Sequence, residues 1–316
     1  MDLIELVVED DVKGVRELLQ NNEVDINIQD ENGNSSLHYA VLLPSENMVY
    51  LLCEKGIDVD IINKDKISAL HIAAEYNLIN IFIHITINGG AYDFISVDNN
   101  TPLDIAVKYD NKAVKDYIDE LDDFYKSCEE NKIKKIKDHI NNGISPNIRF
   151  GENKYTALHY LTVRGSRNID IIKFIVENGG DIDIKTKKLE TALHYAIKNE
   201  HKDLIMLYLQ FANIKIRGPD NGSYLHYAIS NNSSNEIIKL LFKYGINPYI
   251  EDKNNKIAYE IKNKPIVKKY MNLYERSKKD NKYDIWIKEF VKKDFKWALD
   301  RIINKIKIEA ISEYLE

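Results

Sequence analysis

Short runs of apolar residues recur along the chain at helical spacing, separated by polar, glycine-marked breaks. Ile171, Ile172, Phe174, Ile175 and Val176 form one such run, and Ile237, Ile238, Leu240, Leu241 and Phe242 form another. Apolar side chains at i, i+3 and i+4 share one side of a helix, so each run predicts an amphipathic helix with a single buried face. A stop follows each: Lys55-Gly56-Ile57-Asp58, Asn178-Gly179-Gly180-Asp181, Tyr244-Gly245-Ile246-Asn247. Glycine just past a helix accepts the left-handed backbone that ends it.

A second, shorter pattern precedes each run. Ser36-Leu37-His38-Tyr39-Ala40 returns as Ala69-Leu70-His71-Ile72-Ala73 and as Pro102-Leu103-Asp104-Ile105-Ala106, at steps of 33 residues. Ala157-Leu158-His159-Tyr160-Leu161, Ala192-Leu193-His194-Tyr195-Ala196 and Tyr224-Leu225-His226-Tyr227-Ala228 follow at steps of 35 and 32, with a weaker copy at Ile257-Ala258-Tyr259-Glu260-Ile261. The unit therefore reads short helix, turn, longer helix, glycine stop and extended polar loop. One such unit cannot bury its own apolar face. Stacked neighbours can, with end units as caps.

These residues resemble the ankyrin repeat, whose pattern runs T-P-L-H-x-A in the first helix and G-A-D-v-N after the second. Thr101-Pro102-Leu103 and Thr156-Ala157-Leu158-His159 follow the first part, and Gly179-Gly180-Asp181-Ile182-Asp183 the second. The resemblance covers about residues 1–275. It implies an all-α ankyrin-repeat solenoid of about nine helix-turn-helix units in two stacks, with a C-terminal helical cap. Residues 3–19 form a first capping unit, with Leu3, Leu6 and Val7 on one helix and Val15, Leu18 and Leu19 on the next.

The period breaks once. After Asp104 the next comparable position is Tyr125, 21 residues on instead of 33, and the chain runs through Leu121-Asp122-Asp123-Phe124-Tyr125 without glycine or proline. A terminal loop and hairpin are missing there, so a helical joint near 119–125 is expected between a first stack, 1–121, and a second, 122–279. Residues 280–316 leave the period. Ile285, Trp286, Phe290, Val291, Phe295 and Trp297 suggest amphipathic helices that cap the last repeat or dock a partner.

Charge changes at the same joint. The formal net charge of −6 divides into 23 acidic against 8 basic residues over 1–121, 18 against 23 over 122–264, and 9 against 13 over 265–316. Such an imbalance bears on partners and steering rather than on fold. It suits a basic partner for the first stack.

Composition narrows the chemistry. Two cysteines, Cys53 and Cys128, cannot build a disulfide framework, and no metal-binding Cys or His spacing occurs. The start lacks a secretory pattern, and the most apolar stretch, Ile79–Ile87, is far below the ~20 residues of a membrane span. A cytoplasmic, reducing setting is expected. No phosphate-binding glycine loop and no nucleophile elbow are present. Five of the eight histidines sit in the repeat motif one unit apart, as structural side chains rather than metal ligands. Lys132, Lys134, Lys135 and Lys137 alternate with Ile133 and Ile136 and read as a solvated helix face, not a nucleic-acid site. No enzyme activity, cofactor, metal, small-molecule substrate or membrane is expected, and the chain is expected to be monomeric.

What the resemblance implies for function is protein recognition along a concave groove of loop tips and first-helix ends. Carried over residue by residue, this gives Glu31, Asn34, Leu42 and Leu43, then Tyr76, Asp98 and Tyr109 in the first stack. The second contributes Glu152, Tyr155, Arg164, Lys187 and Lys198. Aromatic and arginine side chains dominate interface energetics, which singles out Tyr76, Tyr109, Tyr155 and Arg164. The turn Leu42-Leu43-Pro44-Ser45-Glu46 looks like an insertion. The flavour of the motif is similar to ankyrin proteins of large DNA viruses, especially poxviruses, and of host-associated bacteria. That likeness implies an adaptor or a modulator of host signalling, acting in the host cytoplasm or nucleus. The alternative is an effector whose activity or docking function lies in the C-terminal helices.

Overall fold

The computed structural model describes residues 2–21, 24–151, 153–165 and 169–279. Glu152 and the C-terminal segment 280–316 lie outside the described residues. Among those described, the regular elements are helices, and the extended backbone amounts to isolated antiparallel bridges. The chain is an all-α repeat solenoid.

The first helix of each pair is about two turns long: Ser36–Leu42, Ala69–Glu75, Pro102–Lys108, Ala157–Val163, Ala192–Lys198 and Tyr224–Ser230. Helices this short do not hold in water without tertiary packing. Their starts are set by reciprocal caps. Ser35, Ser68, Thr191 and Ser223 precede their helices, and the histidine three positions on returns its Nδ1 to the capping residue's backbone N–H. The motif histidine thus takes the role that glutamate usually plays in such a box. Thr101 and Asp104 make the same exchange in the fourth unit.

The second helices, among them Glu46–Glu54, Ile79–Ile87, Lys202–Leu209 and Asn235–Lys243, bury an apolar stripe. Met48, Leu52, Ile81, Phe82, Ile85, Ile205, Leu241 and their counterparts are fully enclosed. The motif alanines Ala40, Ala73, Ala106, Ala196 and Ala228 are equally buried. Their small side chains let neighbouring helices approach closely. Each fully buried aliphatic side chain contributes on the order of 1.5–3 kcal/mol.

Hairpins link successive units. Gln29 bridges Ser35, Ile62 bridges Ser68, Phe150 bridges Tyr155 and Glu251 bridges Ile257, each pair antiparallel. Adjacent hairpins are tied by main-chain bonds, Lys64 N–H to Asn32 O (3.0 Å), Val97 N–H to Asp65 O (3.0 Å) and Lys253 N–H to Asp220 O (2.8 Å).

The broken period has a direct structural cause. One helix of 18 residues, Lys112–Glu129, serves as the second helix of the fourth unit and the first of the fifth. Asp122 lies 33 residues after the stop glycine Gly89, and with a side chain suited to right-handed helix it lets the helix continue. The partner helix is Ile133–Asn141. Phe124 is fully buried there, edge-on to Phe150 at 5.5 Å between ring centres.

By compactness the chain forms two units. The first comprises residues 1–161 with 170–180, and the second comprises 162–169 with residues from 181 onward. This division falls in the sixth helix pair. The change of charge and register at the shared helix is a separate one.

Candidate functional site

The groove residues are placed by the turn between the two helices of a pair. In the first unit Leu43, Tyr76 and Tyr109 are the residues that close their first helices, with nearly the same backbone angles. Their side chains are 45%, 57% and 47% exposed. The next residue is left-handed in two of the three, Asn77 and Asp110, which swings the chain sharply into the second helix. Because the geometry repeats, the three side chains form a row with roughly 10 Å between neighbours, the spacing of packed helices. Leu42 and Val107, also exposed, flank it.

The turn Leu42–Glu46 is not an insertion. Its second helix starts ten positions after the first, as in the following unit. What differs is Pro44, whose ring fixes a negative φ where Asn77 and Asp110 are left-handed. Ser45 compensates by accepting Met48 N–H and donating to Asp10 Oδ1 at 2.6 Å.

Other sequence-derived positions fare differently. Glu31 and Asp98 are exposed at hairpin tips. Asn34 is half-buried and engaged, donating its N–H to Asp30 and accepting from Asn63 Nδ2 at 3.0 Å. Tyr155 is half-buried, its ring stacked on His159 at 5.7 Å and edge-on to Tyr160 at 5.2 Å. In the second unit Arg164, Lys187 and Lys198 are exposed. There the counterparts of Tyr76 are Arg164, Asn199 and Asn231, and Asn231 Nδ2 donates to Tyr227 O at 2.9 Å, closing its own helix.

The motif histidines are structural. His38 Nδ1 accepts from Ser35, and its Nε2 donates to Ile67 O at 2.9 Å in the next hairpin. His71 repeats this with Ser68 and Asn100 O, and His226 with Ser223 and Lys256 O. Burial holds the His38 and His71 imidazoles below the ordinary histidine value, so they are neutral near pH 7. The motif tyrosines also tie hairpin to helix: Tyr39 donates to Asp30 Oδ2 at 2.6 Å and Tyr227 to Glu190.

The lysine run is largely engaged. Lys132 pairs with Glu130, Lys135 with Asp123 at 2.9 Å, and Lys137 lies over the Phe174 ring. Cys53 and Cys128 are buried, and burial pushes the Cys53 thiol up to about 12, far from a reactive thiolate. Among the described residues no cluster of histidine, cysteine and carboxylate side chains could hold a metal, and no helix is long and apolar enough to cross a membrane.

A cavity of about 250 Å³ was not foreseen from the sequence. Ala91, Tyr92 and Asp93, the helix residues Asp122 and Tyr125, and Arg149, Phe150, Gly151 and Lys154 line it. Tyr92 donates its hydroxyl to Asp122 Oδ1 at 3.0 Å. Burial, and then the neighbouring Asp119 and Asp93, hold the Asp122 carboxyl above the usual carboxylate range against that bond. The signal that pointed here was the 21-residue step, since a missing loop leaves its neighbours short of a partner.

Known proteins match this organisation. The family model for ankyrin repeats in three copies fits residues 3–63, 124–214 and 161–252. An ankyrin repeat-containing protein of Schizosaccharomyces pombe is 34% identical over 107 residues, which is 34% of this chain and 49% of that protein. An ankyrin repeat protein of fowlpox virus is 34% identical over 79 residues, 25% of this chain and 13% of that protein. The chain thus spans about half of one curated relative and a small part of the other. With the family model fitting well over half of its residues, in phase with the helix pairs and their histidine caps, the chain belongs to the ankyrin-repeat family.

Proposed function

We propose that this protein is a non-enzymatic recognition scaffold that holds a partner protein along the exposed ends of its first helices. The observation that carries this reading is the row Leu43, Tyr76 and Tyr109. Three large apolar or aromatic side chains stand at one repeated backbone position, each about half exposed, and none of the three side chains makes a hydrogen bond among the described residues. Contiguous exposed apolar surface with polar margins marks interaction sites in soluble proteins. Tyrosine is well suited, because it offers a large contact area with few rotatable bonds.

The finer reading is an adaptor. Residues 1–121, with their excess of acidic groups, take a basic partner, and the basic residues of 122–279 take another. The likeness to viral ankyrin proteins favours a role in modulating host signalling, within the host cytoplasm or nucleus. The test is capture of partner proteins by the full chain against its Tyr76→Ala/Tyr109→Ala variant. Truncation of a true hot-spot residue removes about 2 kcal/mol or more of binding energy. The partners held by the first stack should therefore be lost while the helical circular dichroism stays unchanged. Equal capture by both proteins refutes the groove.

A further inference from the structure

The side by which a first helix meets the following unit is buried in one unit after another, and it is open in the fourth. The position of Val41 recurs as Ala74, Thr162, Ile197 and Ile229, and all of these are fully enclosed. In the helix Pro102–Lys108 the same position is Val107, and it is 55% exposed. Two further positions of that helix behave alike. Leu37 and Leu70 are buried while Leu103 is half-buried, and His38 and His71 are buried while Asp104 is exposed.

The shared helix is the cause. His38 Nε2 donates to Ile67 O and His71 Nε2 to Asn100 O, each 29 residues ahead in the next hairpin. From Asp104 the same step reaches Ile133, the first residue of the helix Ile133–Asn141, where no hairpin stands. The main-chain rungs stop at the same place. Asn32 O and Asp65 O accept from Lys64 and Val97, and the next donor at that step, Glu130 N–H, is spent on Lys126 O at 2.9 Å. Asp98 O, the next rung, accepts no hydrogen bond among the described residues. Asp104 also stands where the motif places a donor. Its Oδ2 accepts the Thr101 hydroxyl at 2.7 Å, its Oδ1 accepts nothing among the described residues, and the neighbouring cation Lys108 is set over the Tyr109 ring. A repeat stack normally ends on a polar outer face. This one ends on leucine, valine and a carboxylate.

We propose that this open stack end is a second docking surface, independent of the groove, which takes an amphipathic helix of a partner protein in the position of the missing first helix, with a lysine or arginine of that helix on Asp104. The preceding units fix the kind of occupant. Ser36–Leu42, Ala69–Glu75 and Pro102–Lys108 pack side by side, so the faces equivalent to Leu103 and Val107 are covered by a helix and by nothing else regular. Charge fixes the rest. Asp104 and the Asp98 carbonyl are both acceptors, so the incoming surface must bring donors, and an acidic helix is repelled. The excess of acidic residues over 1–121 draws a basic helix toward the same end.

The experiment displays on phage a stable helical scaffold with one face randomised, selects on the full chain, and measures the enriched helices by fluorescence polarisation. At least one family, with a lysine or arginine among its apolar positions, should lose about tenfold or more in affinity on Val107→Lys, which presses an ammonium into an apolar contact beside a second cation. Thermal melting of that variant should match the parent, since lysine suits the last turn of an exposed helix at least as well as valine. Asp104→Asn keeps an acceptor for Thr101 and removes the charge. It should weaken the same helices several-fold, the scale of a partly exposed ion pair, and exchanging their basic residue for methionine should then cost nothing further. The Leu43→Ala/Tyr76→Ala variant, which strips the groove in the two preceding units, should bind them undiminished. If no selected helix depends on Val107, if every dependent helix is lost equally in the groove variant, or if Val107→Lys lowers the melting temperature as loss of an internal contact does, the open end is not a docking surface.

Discussion

The residue that closes the first helix does different work in the two compact units. In the first it is Leu43, Tyr76 and Tyr109, presented to solvent. In the second it is Arg164, Asn199 and Asn231, and the asparagine amides turn back to bond backbone carbonyls, Asn231 to Tyr227 O at 2.9 Å and Asn199 to Thr162 O at 3.5 Å. The backbone is common to both, so the difference is one of side-chain use. Where the position is asparagine its amide helps hold the fold, and where it is tyrosine the ring is presented to solvent without a hydrogen bond, with Lys108 Nζ over the Tyr109 ring at 5.1 Å. A repeat frame can therefore confine recognition to some of its units without altering its architecture.

Exchanging the residues breaks the comparison most severely. Tyr76→Asn together with Tyr109→Asn gives the first unit the second unit's side chains. Affinity for a groove partner should fall by more than about 30-fold, from two hot-spot losses of about 2 kcal/mol or more that need not add fully, while the melting temperature holds. Asparagine caps helix ends well, so a drop in stability comparable to the loss of binding would show that the tyrosines serve the fold after all.

Acid sharpens the contrast by loading the histidine bridges. The folded-state values of His38 and His71 lie below the unfolded value of 6.5. As pH falls through that value the unfolded chain takes up protons that the folded chain refuses. Stability is therefore full above about pH 6.5 and declines below it, toward the lowered folded values. Urea midpoints measured at about pH 7.5 and about pH 5.5 should show the decline. The decline should shrink in a His71→Gln variant; an undiminished slope would assign the titration elsewhere.

The smallest effect is at a hairpin tip of the second unit. Leu189 has φ +61 and is half exposed, whereas the tip of the first hairpin is Gly33, at φ +82. A left-handed non-glycine residue carries strain of about 1–2 kcal/mol. Leu189→Gly relieves it but frees the unfolded chain, so a net gain near 1 kcal/mol is expected, read as a rise in melting temperature. A fall would mean that the leucine packs on its neighbours more than its exposure implies.

The pairing of a short helix with a longer one, a structural role for the motif histidines and the glycine stops were all legible in the order of residues. So was the single short step after Asp104, which became the shared helix Lys112–Glu129. These features arise from interactions within three or four positions, such as caps, apolar periodicity and left-handed residues, and neighbours along the chain suffice to specify them. The turn at Pro44 was misread because its length is set by where the second helix starts, and Ser45 marks that start only once its bond to Met48 N–H is seen.

Which polar side chains are already engaged and which are left over lay beyond such reading. Asn34 and Tyr155 carried the right motif positions, yet one is bonded across to Asn63 and the other packed on His159. Satisfaction of a polar group is a sum over everything that folds against it, and those neighbours come from units that the local pattern treats as interchangeable. Stacking makes them unequal.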